Sequence, residues 1–294
     1  MDNLQDPLRR FAERASRYAI NLDGRVHRGT RAALGGGNAI VYRGTLQPDG
    51  ISIAIKTARG SPPVDDRMIK RALREVHTCL KLQHQNVIPV LGITTEFDGT
   101  VSIVSHWMEN GNAHDYVQNT TINPGPLMLG IAQGLQYLHT RQGGAVLHGD
   151  LKGSNVLISD SGQAVLADFD LSLLVDSTFS LTTSRRAGYT LHWTAPEILE
   201  GGVGGQKSAE ADVWSFGMTL LELFTRKIPF HPFTLHAVSY RISLGRTPDR
   251  PSDEDTCSRL TDEWWTTCVK CWNFDPLLRP RITDVLQTIR MIQQ

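Results

Sequence analysis

The sequence predicts an α+β fold in two lobes: a small antiparallel sheet with one main helix, then a larger and mostly helical half. Three observations lead there. From about Leu22 to Met108, short alternating runs rich in Val and Ile are broken by turn signals at Pro48-Asp49-Gly50 and Asp98-Gly99, the pattern of antiparallel strands. One helical stretch interrupts those strands, from about Asp65 to Leu82. After Asn110-Gly111 the apolar spacing becomes helical, near Leu127 to Arg141, Ala209 to Thr225, Leu235 to Leu244 and Thr283 to Ile292. Strands followed by helices suggest two packed bodies with a cleft between them. The division expected is 1–21 as an N-terminal helical extension, 22–108 as the nucleotide-binding half and 109–294 as the catalytic half, which also takes the acceptor.

In the extension, Leu4, Leu8, Phe11, Ala15 and Tyr18 recur at helical spacing, with Asp6 able to cap and Pro7 suited to the first turn. Its other face carries Arg and Glu, which favours a helix packed on the main body over a membrane helix. The chain holds 294 residues, 40% of them hydrophobic, with a formal net charge of zero, which gives no long-range field for polyanions and argues against nucleic acid as a partner. No run of about 18 apolar residues occurs, so no membrane partner is expected and a cytoplasmic address follows by default. Of the four cysteines, only Cys268 and Cys271 have metal-like spacing. With no second pair they cannot close a tetrahedral zinc site, and Trp264, Trp265 and Trp272 around them suggest a packed helix.

The chemistry lies in five stretches that follow one another in order: GGGNAIVYRG, IAIK, HGDLKGSN, DFD and APE. Together they supply what is needed to hold ATP and pass on its terminal phosphate, a reaction that demands positioning, charge neutralisation and a carboxylate beside the acceptor hydroxyl. Lys56 ends an apolar strand pattern, where its ammonium can reach the α- and β-phosphates. A lone strand lysine is usually a solvated edge charge, but Glu75 follows in a helix whose Leu73, Val76 and Leu80 form an apolar stripe, so an inward carboxylate can hold it. Between two apolar runs, Asp150 would accept the proton of the acceptor hydroxyl, Lys152 would offset charge on the phosphoryl group and Asn155 would reach a magnesium ion. Asp168, directly after the run Val165-Leu166-Ala167, would be a further magnesium ligand; alone, a strand-end Asp is most often a turn or cap.

These segments resemble eukaryotic protein kinases across roughly residues 22–292, and most closely the tyrosine-kinase-like group of serine/threonine kinases, of the kind numerous in fungi. His84-Gln85-Asn86-Val87, Trp107-Met108-Glu109-Asn110-Gly111, Asp212-Val213-Trp214-Ser215-Phe216-Gly217, Cys271-Trp272 and Arg279-Pro280 carry the closer likeness. The resemblance implies the two-lobed kinase fold, with Val41, Ala54 and Leu157 around the adenine, His106, Trp107 and Met108 as the hinge and Ser105 as the small residue behind the pocket. It further implies that Glu197 pairs with Arg279, that Thr190 touches the catalytic Asp and Lys, and that the partner is a protein with a Ser or Thr acceptor. Lys152, two residues after Asp150, favours that acceptor; Trp193-Thr194-Ala195-Pro196-Glu197 also looks like tyrosine kinases, so dual specificity stays open.

Three departures from the family pattern stand out. In the phosphate-covering loop Leu34 and Ala39 replace the first and third glycines and Gly36 is kept, while Gly35 and Gly37 can compensate, or themselves set a shorter register. Asp170 replaces the last glycine of D-F-G, adding either a metal ligand or repulsion against Asp168. These two changes leave a pseudokinase, a nucleotide-binding scaffold without turnover, as the rival reading. Against it stands the retention of every charged group, and a small-molecule kinase is disfavoured by the A-P-E segment and the Asp212 helix. Finally, Gly149 stands where most kinases carry an arginine that receives phosphate from the Ser/Thr-rich stretch 177–184. Activity is therefore expected not to depend strongly on phosphorylation of that stretch; phosphatase treatment should leave turnover in place, and its abolition would contradict the expectation.

Overall fold

The computed structural model describes residues 7–17, 20–35, 39–58, 76, 79–142, 144–168, 191–200 and 207–294. They fall into two compact units, one from the described residues up to Gln83 plus Val87–Met108, the other from His84–Asn86 and the described residues from Glu109 onward.

The first unit opens with helix α1 (Pro7–Arg17), which begins at the proline expected in the first turn. Phe11 and Ala15, one turn apart, are fully buried, while Leu4, Asp6 and Tyr18 lie outside the described residues. Past the helix the chain runs along a sheet edge: Leu22 N–H donates to Ile93 O (2.8 Å) and Ile93 N–H to Ile20 O (2.9 Å). The sheet has five antiparallel strands, β1 (Val26–Gly35), β2 (Ala39–Leu46), β3 (Ile51–Ala58), β4 (Val90–Thr94) and β5 (Ser102–His106), in the spatial order β1-β2-β3-β5-β4. The sequence signals at Gly50 and Gly99 both take left-handed turn angles, φ 66° and 62°.

Strand β3 shows why alternation matters. Ile53 and Ile55 are fully buried and pack with Leu22, Val26, Leu46 and Val104, whereas Ala54 and Lys56 between them face the other side and are half-buried. On the core side, Arg28 lies between the rings of Tyr42 (4.3 Å) and Phe97 (4.5 Å) and is tied to the Asp98 carboxylate. The helix expected over about 65–82 falls mostly outside the described residues; Val76, Cys79 and Leu80 are helical, and the first two are buried.

Among its described residues the second unit is helical apart from one hairpin, β6 (Val156–Ile158) with β7 (Ala164–Leu166). A short helix α2 (Ala113–Tyr116) leads into α3 (Gly125–Thr140), which packs against β7 and the last helix, α8 (Ile282–Ile292). Between them in sequence come α4 (Pro196–Glu200), α5 (Ala209–Thr225), α6 (Leu235–Ser243) and α7 (Asp262–Cys271). Helix α5 matches its expected bounds and is buried along almost its whole length. It is capped by the Ser208 side chain, which accepts the Ala211 N–H.

Asn86 pins the hairpin from below: its Nδ2 donates to Ala164 O (2.8 Å) and its carbonyl accepts Leu166 N–H (2.8 Å). Helix α3 comes so close here that a Cβ at Gly134 would meet Asn86 O at 2.7 Å and Leu166 Cδ1 at 2.8 Å. The two cysteines with metal-like spacing lie in α7, fully buried, and burial pushes the Cys271 thiol up to about 12. That is the packed helix expected of them, and an inert thiol rather than a ligand.

Candidate active site

The turn that carries Asp150 is organised by an acid 62 positions further along, Asp212 in the first turn of α5. Its carboxylate is 1% exposed and receives the N–H of His148 (2.8 Å) and of Gly149 (2.7 Å), together with His139 Nε2 (2.8 Å). Burial by itself would raise this acid. The His139 hydrogen bond and charge and the Gly149 N–H outweigh it, so the carboxylate titrates below its ordinary range. Gly149 takes a left-handed φ of 71°, which turns consecutive amides toward a single acceptor. His148 is fully buried, burial lowers its pKa, and its Nδ1 accepts the Asp150 N–H (3.3 Å), as only a neutral imidazole can.

With the turn fixed, the side chains after it converge. Lys152 Nζ lies 2.9 Å from Asp150 Oδ2 and 3.2 Å from Oδ1. Asn155 Nδ2 donates to the same Oδ2 (2.8 Å) and to the Asp150 carbonyl (2.7 Å). Both contacts are acceptors, so the amide nitrogen is fixed toward Asp150 and the amide oxygen is turned to the opposite side, where a hard cation would use it. The Asn155 carbonyl accepts Ala167 N–H (2.9 Å), which joins the end of β7 to the loop and sets Asp168, in a left-handed conformation with φ 61°, directly beyond the hairpin. Among the described residues no group of three or more His, Cys, Asp or Glu gathers as metal ligands. One carboxylate and one amide oxygen completed by substrate phosphates is nonetheless how magnesium is commonly held, so the donor set fits that ion.

A second buried acid organises the other side of the loop. Glu222 on α5, 2% exposed, accepts the Gly153 N–H (2.8 Å) and Trp193 Nε1–H (2.8 Å) and pairs with His114 Nδ1 (2.7 Å). The ion pair expected of Glu197 is present: Arg279 grips it with two hydrogen bonds of 2.7 and 2.8 Å and also donates to the carbonyls of Asn273 and Glu210. Arg279 lies over the Trp214 ring at 5.1 Å, a geometry that lysine would not reproduce.

In the first unit the strand register puts the remaining residues on one face. Val41 is paired with Lys56, and Ala54 with Ser105, so these four share the side of the sheet opposite Ile53 and Ile55. In the segment after β5, Trp107 N–H donates to Ser52 O (3.1 Å) and its ring carries Arg43 at 5.3 Å. That amide is therefore engaged with β3. Leu157, in β6 of the second unit, is bridged to Asn112. Gly35 ends β1, whereas Gly36, Gly37, Glu75, Phe169, Asp170, Thr190 and the stretch 177–184 lie outside the described residues.

Comparison with known proteins agrees with this geometry. Residues 30–289 match the family described as protein tyrosine and serine/threonine kinase. The chain belongs to the protein kinase family. It is 36% identical over 275 residues to a putative L-type lectin-domain containing receptor kinase of Arabidopsis thaliana, covering 88% of this chain and 40% of that protein. It is 31% identical to a probable serine/threonine-protein kinase of Dictyostelium discoideum, covering 84% of this chain and 47% of that one. With human mitogen-activated protein kinase kinase kinase 11 it shares 29% over 269 residues, 88% of this chain and 30% of the other. The chain thus spans less than half the length of these relatives, and it has the two-lobed kinase fold that the sequence predicted.

Of the residues singled out from sequence, the structure brings Asp150, Lys152 and Asn155 into mutual hydrogen bonds; the residues that hold their turn were not singled out. His139, His148 and Glu222 were given no role from sequence, and no local pattern marks Glu222 as an acid on a helix that is buried along almost its whole length. One of these contacts is sensitive to pH. His114 is raised first by its hydrogen bond to Glu222, against desolvation, and then by the charges of Glu222 and Asp115. A raised cation stabilises fully below its unfolded value, about 6.5, and loses that contribution as pH climbs through the folded value. His114→Gln should therefore lower the melting temperature more at about pH 5.5 than at about pH 8.5; an equal drop at both would contradict the assignment.

Proposed function

We propose that the chain is an ATP-dependent protein serine/threonine kinase, transferring the γ-phosphoryl group of magnesium-ATP to a protein hydroxyl. The observation that carries this reading is Asp150, whose Oδ2 is held by both Lys152 and Asn155 at 2.9 and 2.8 Å. The carboxylate thereby has a fixed direction in which to take the proton of an incoming alcohol, as a general base requires. Lys152 sits beside that acid as the cation that offsets charge on the phosphoryl group in transit, and its presence there supports Ser or Thr as acceptor. Asn155 and Asp168 would hold magnesium, which when bound neutralises the phosphate oxygens.

In the first unit, Lys56 would draw on the α- and β-phosphates. Val41, Ala54 and Ser105 on the same sheet face, with Leu157 of the second unit, are the proposed adenine contacts. His106, Trp107 and Met108 are the proposed hinge for the base, the Trp107 N–H itself being engaged with Ser52. Glu75 as the partner of Lys56, and Gly35, Gly36 and Gly37 as the phosphate-covering loop, complete the proposed set. The extension 1–21, the nucleotide half 22–108 and the catalytic half 109–294 remain the proposed division of labour. A cytosolic setting, where ATP is supplied, belongs to the same reading, and no described helix is long and apolar enough to cross a membrane.

The test is transfer of label from ATP, with magnesium, to a serine- or threonine-containing protein by the parent chain beside Lys56→Met and Asp150→Asn. Parent turnover on Ser or Thr is expected, with the Asp150 variant slower by about 10²- to 10⁴-fold, the usual worth of a positioned base. Nucleotide binding without transfer by the parent would overturn the reading in favour of a scaffold.

A further inference from the structure

The volume beside the catalytic turn is occupied from an unexpected direction. A Cβ built on Gly149 would lie 2.5 Å from both Cδ and Cε of Lys207 and 2.7 Å from its Nζ. No side chain can therefore exist at 149 while Lys207 stays where it is. Lys207 sits two residues before α5, in the same unit as the turn and on the segment that leads to Asp212.

We infer that Lys207 is a positioning residue for Asp150: residue 149 gives up its side-chain volume, and Lys207 fills it, bracing the left-handed turn and placing an ammonium beside it. Two independent features support the pairing. The first is steric and comes from the glycine. Its φ of 71° is one that a residue with a Cβ adopts only at a cost, and the place a Cβ would take is held by the end of the Lys207 side chain, although the glycine itself is exposed. The second is electrostatic. Asp150, Asp168 and Asp212 all act on the buried His148, and Lys207 is the cation that opposes them there. Lys152 is engaged with the Asp150 carboxylate itself, so Lys207 adds a second positive charge, on the backbone side of the turn. A cation beside three acids that share one buried imidazole lowers their mutual repulsion and so favours the closed turn.

An apolar side chain of equal length would fill the space and leave out the charge, whereas arginine would keep the charge and a similar reach. This inference rests on the proposed kinase activity, and the comparison separates the two. Turnover numbers and Michaelis constants for magnesium-ATP and a serine peptide are measured for the parent, Lys207→Met, Lys207→Arg, Lys207→Ala, Gly149→Arg and the double variant Gly149→Arg/Lys207→Ala, with melting temperatures to confirm folding. Lys207→Met should lower kcat about tenfold while KM for ATP changes by less than about twofold, and Lys207→Arg should recover most of the loss, because a positioning group acts on the chemical step rather than on uniform binding. Gly149→Arg should cost about tenfold less in the Lys207→Ala background than in the parent, since the two residues compete for one volume. A folded Lys207→Met with parental kcat, or a Gly149→Arg penalty equal in both backgrounds, overturns the role of Lys207 alone. A parent without transfer overturns the kinase reading and this inference with it.

Discussion

The carboxylate of Asp212 is the constraint from which the turn before Asp150 and the loop after it follow. It lies among apolar side chains, where an ionised acid survives only if its lone pairs are filled by donors, and the donors it uses are the amides of the residues just before Asp150. Burying that charge and shaping the turn are thus one event. If the turn opened, the buried acid would lose two of its three donors and keep only His139, at a cost of about 1–3 kcal/mol for each lost hydrogen bond. The backbone at Gly149 is held in its left-handed conformation by this penalty rather than by any preference of its own.

The same helix repeats the device one face further along. Glu222 takes the Gly153 amide from the far side of the loop, so α5 grips the segment 148–153 at both ends through two buried acids. Between these grips the side chains of Asp150, Lys152 and Asn155 hydrogen-bond to one another and need no support from solvent. Trp193, held by Glu222, and Glu197, held by Arg279, extend the framework to the segment that precedes and begins α4. The catalytic loop is therefore a rigid product of helix packing, as a site that works by positioning demands.

Much of this was legible in the sequence because the reacting groups come as a polar island between apolar runs. Asp150, Lys152 and Asn155 could be singled out from residue type and spacing, and the short alternating runs over 22–108 marked the antiparallel strands that the sheet contains. The supports were not legible, because a buried acid and its amide donors are 62 positions apart and carry no local signature. His139 and His148 read as ordinary polar residues until folding brings one to a carboxylate and the other under the turn. Trp107 was placed in the hinge from sequence, and its amide is used by Ser52, a pairing that follows from strand register and that residue type does not show. The Gly149 and Lys207 contact was hidden for a similar reason, since an absent side chain is a signal only when its neighbour is known.

The most direct test of this account is residue-resolved amide hydrogen exchange at His148 and Gly149 in the parent and in Asp212→Asn. An amide at 212 offers one oxygen where the carboxylate offers two, and presents a donor to at least one of the N–H groups. The two amides should be protected in the parent and should exchange about ten- to a hundredfold faster in the variant, the worth of a hydrogen bond to a charged acceptor. Unchanged protection at both positions would show that the turn stands without Asp212.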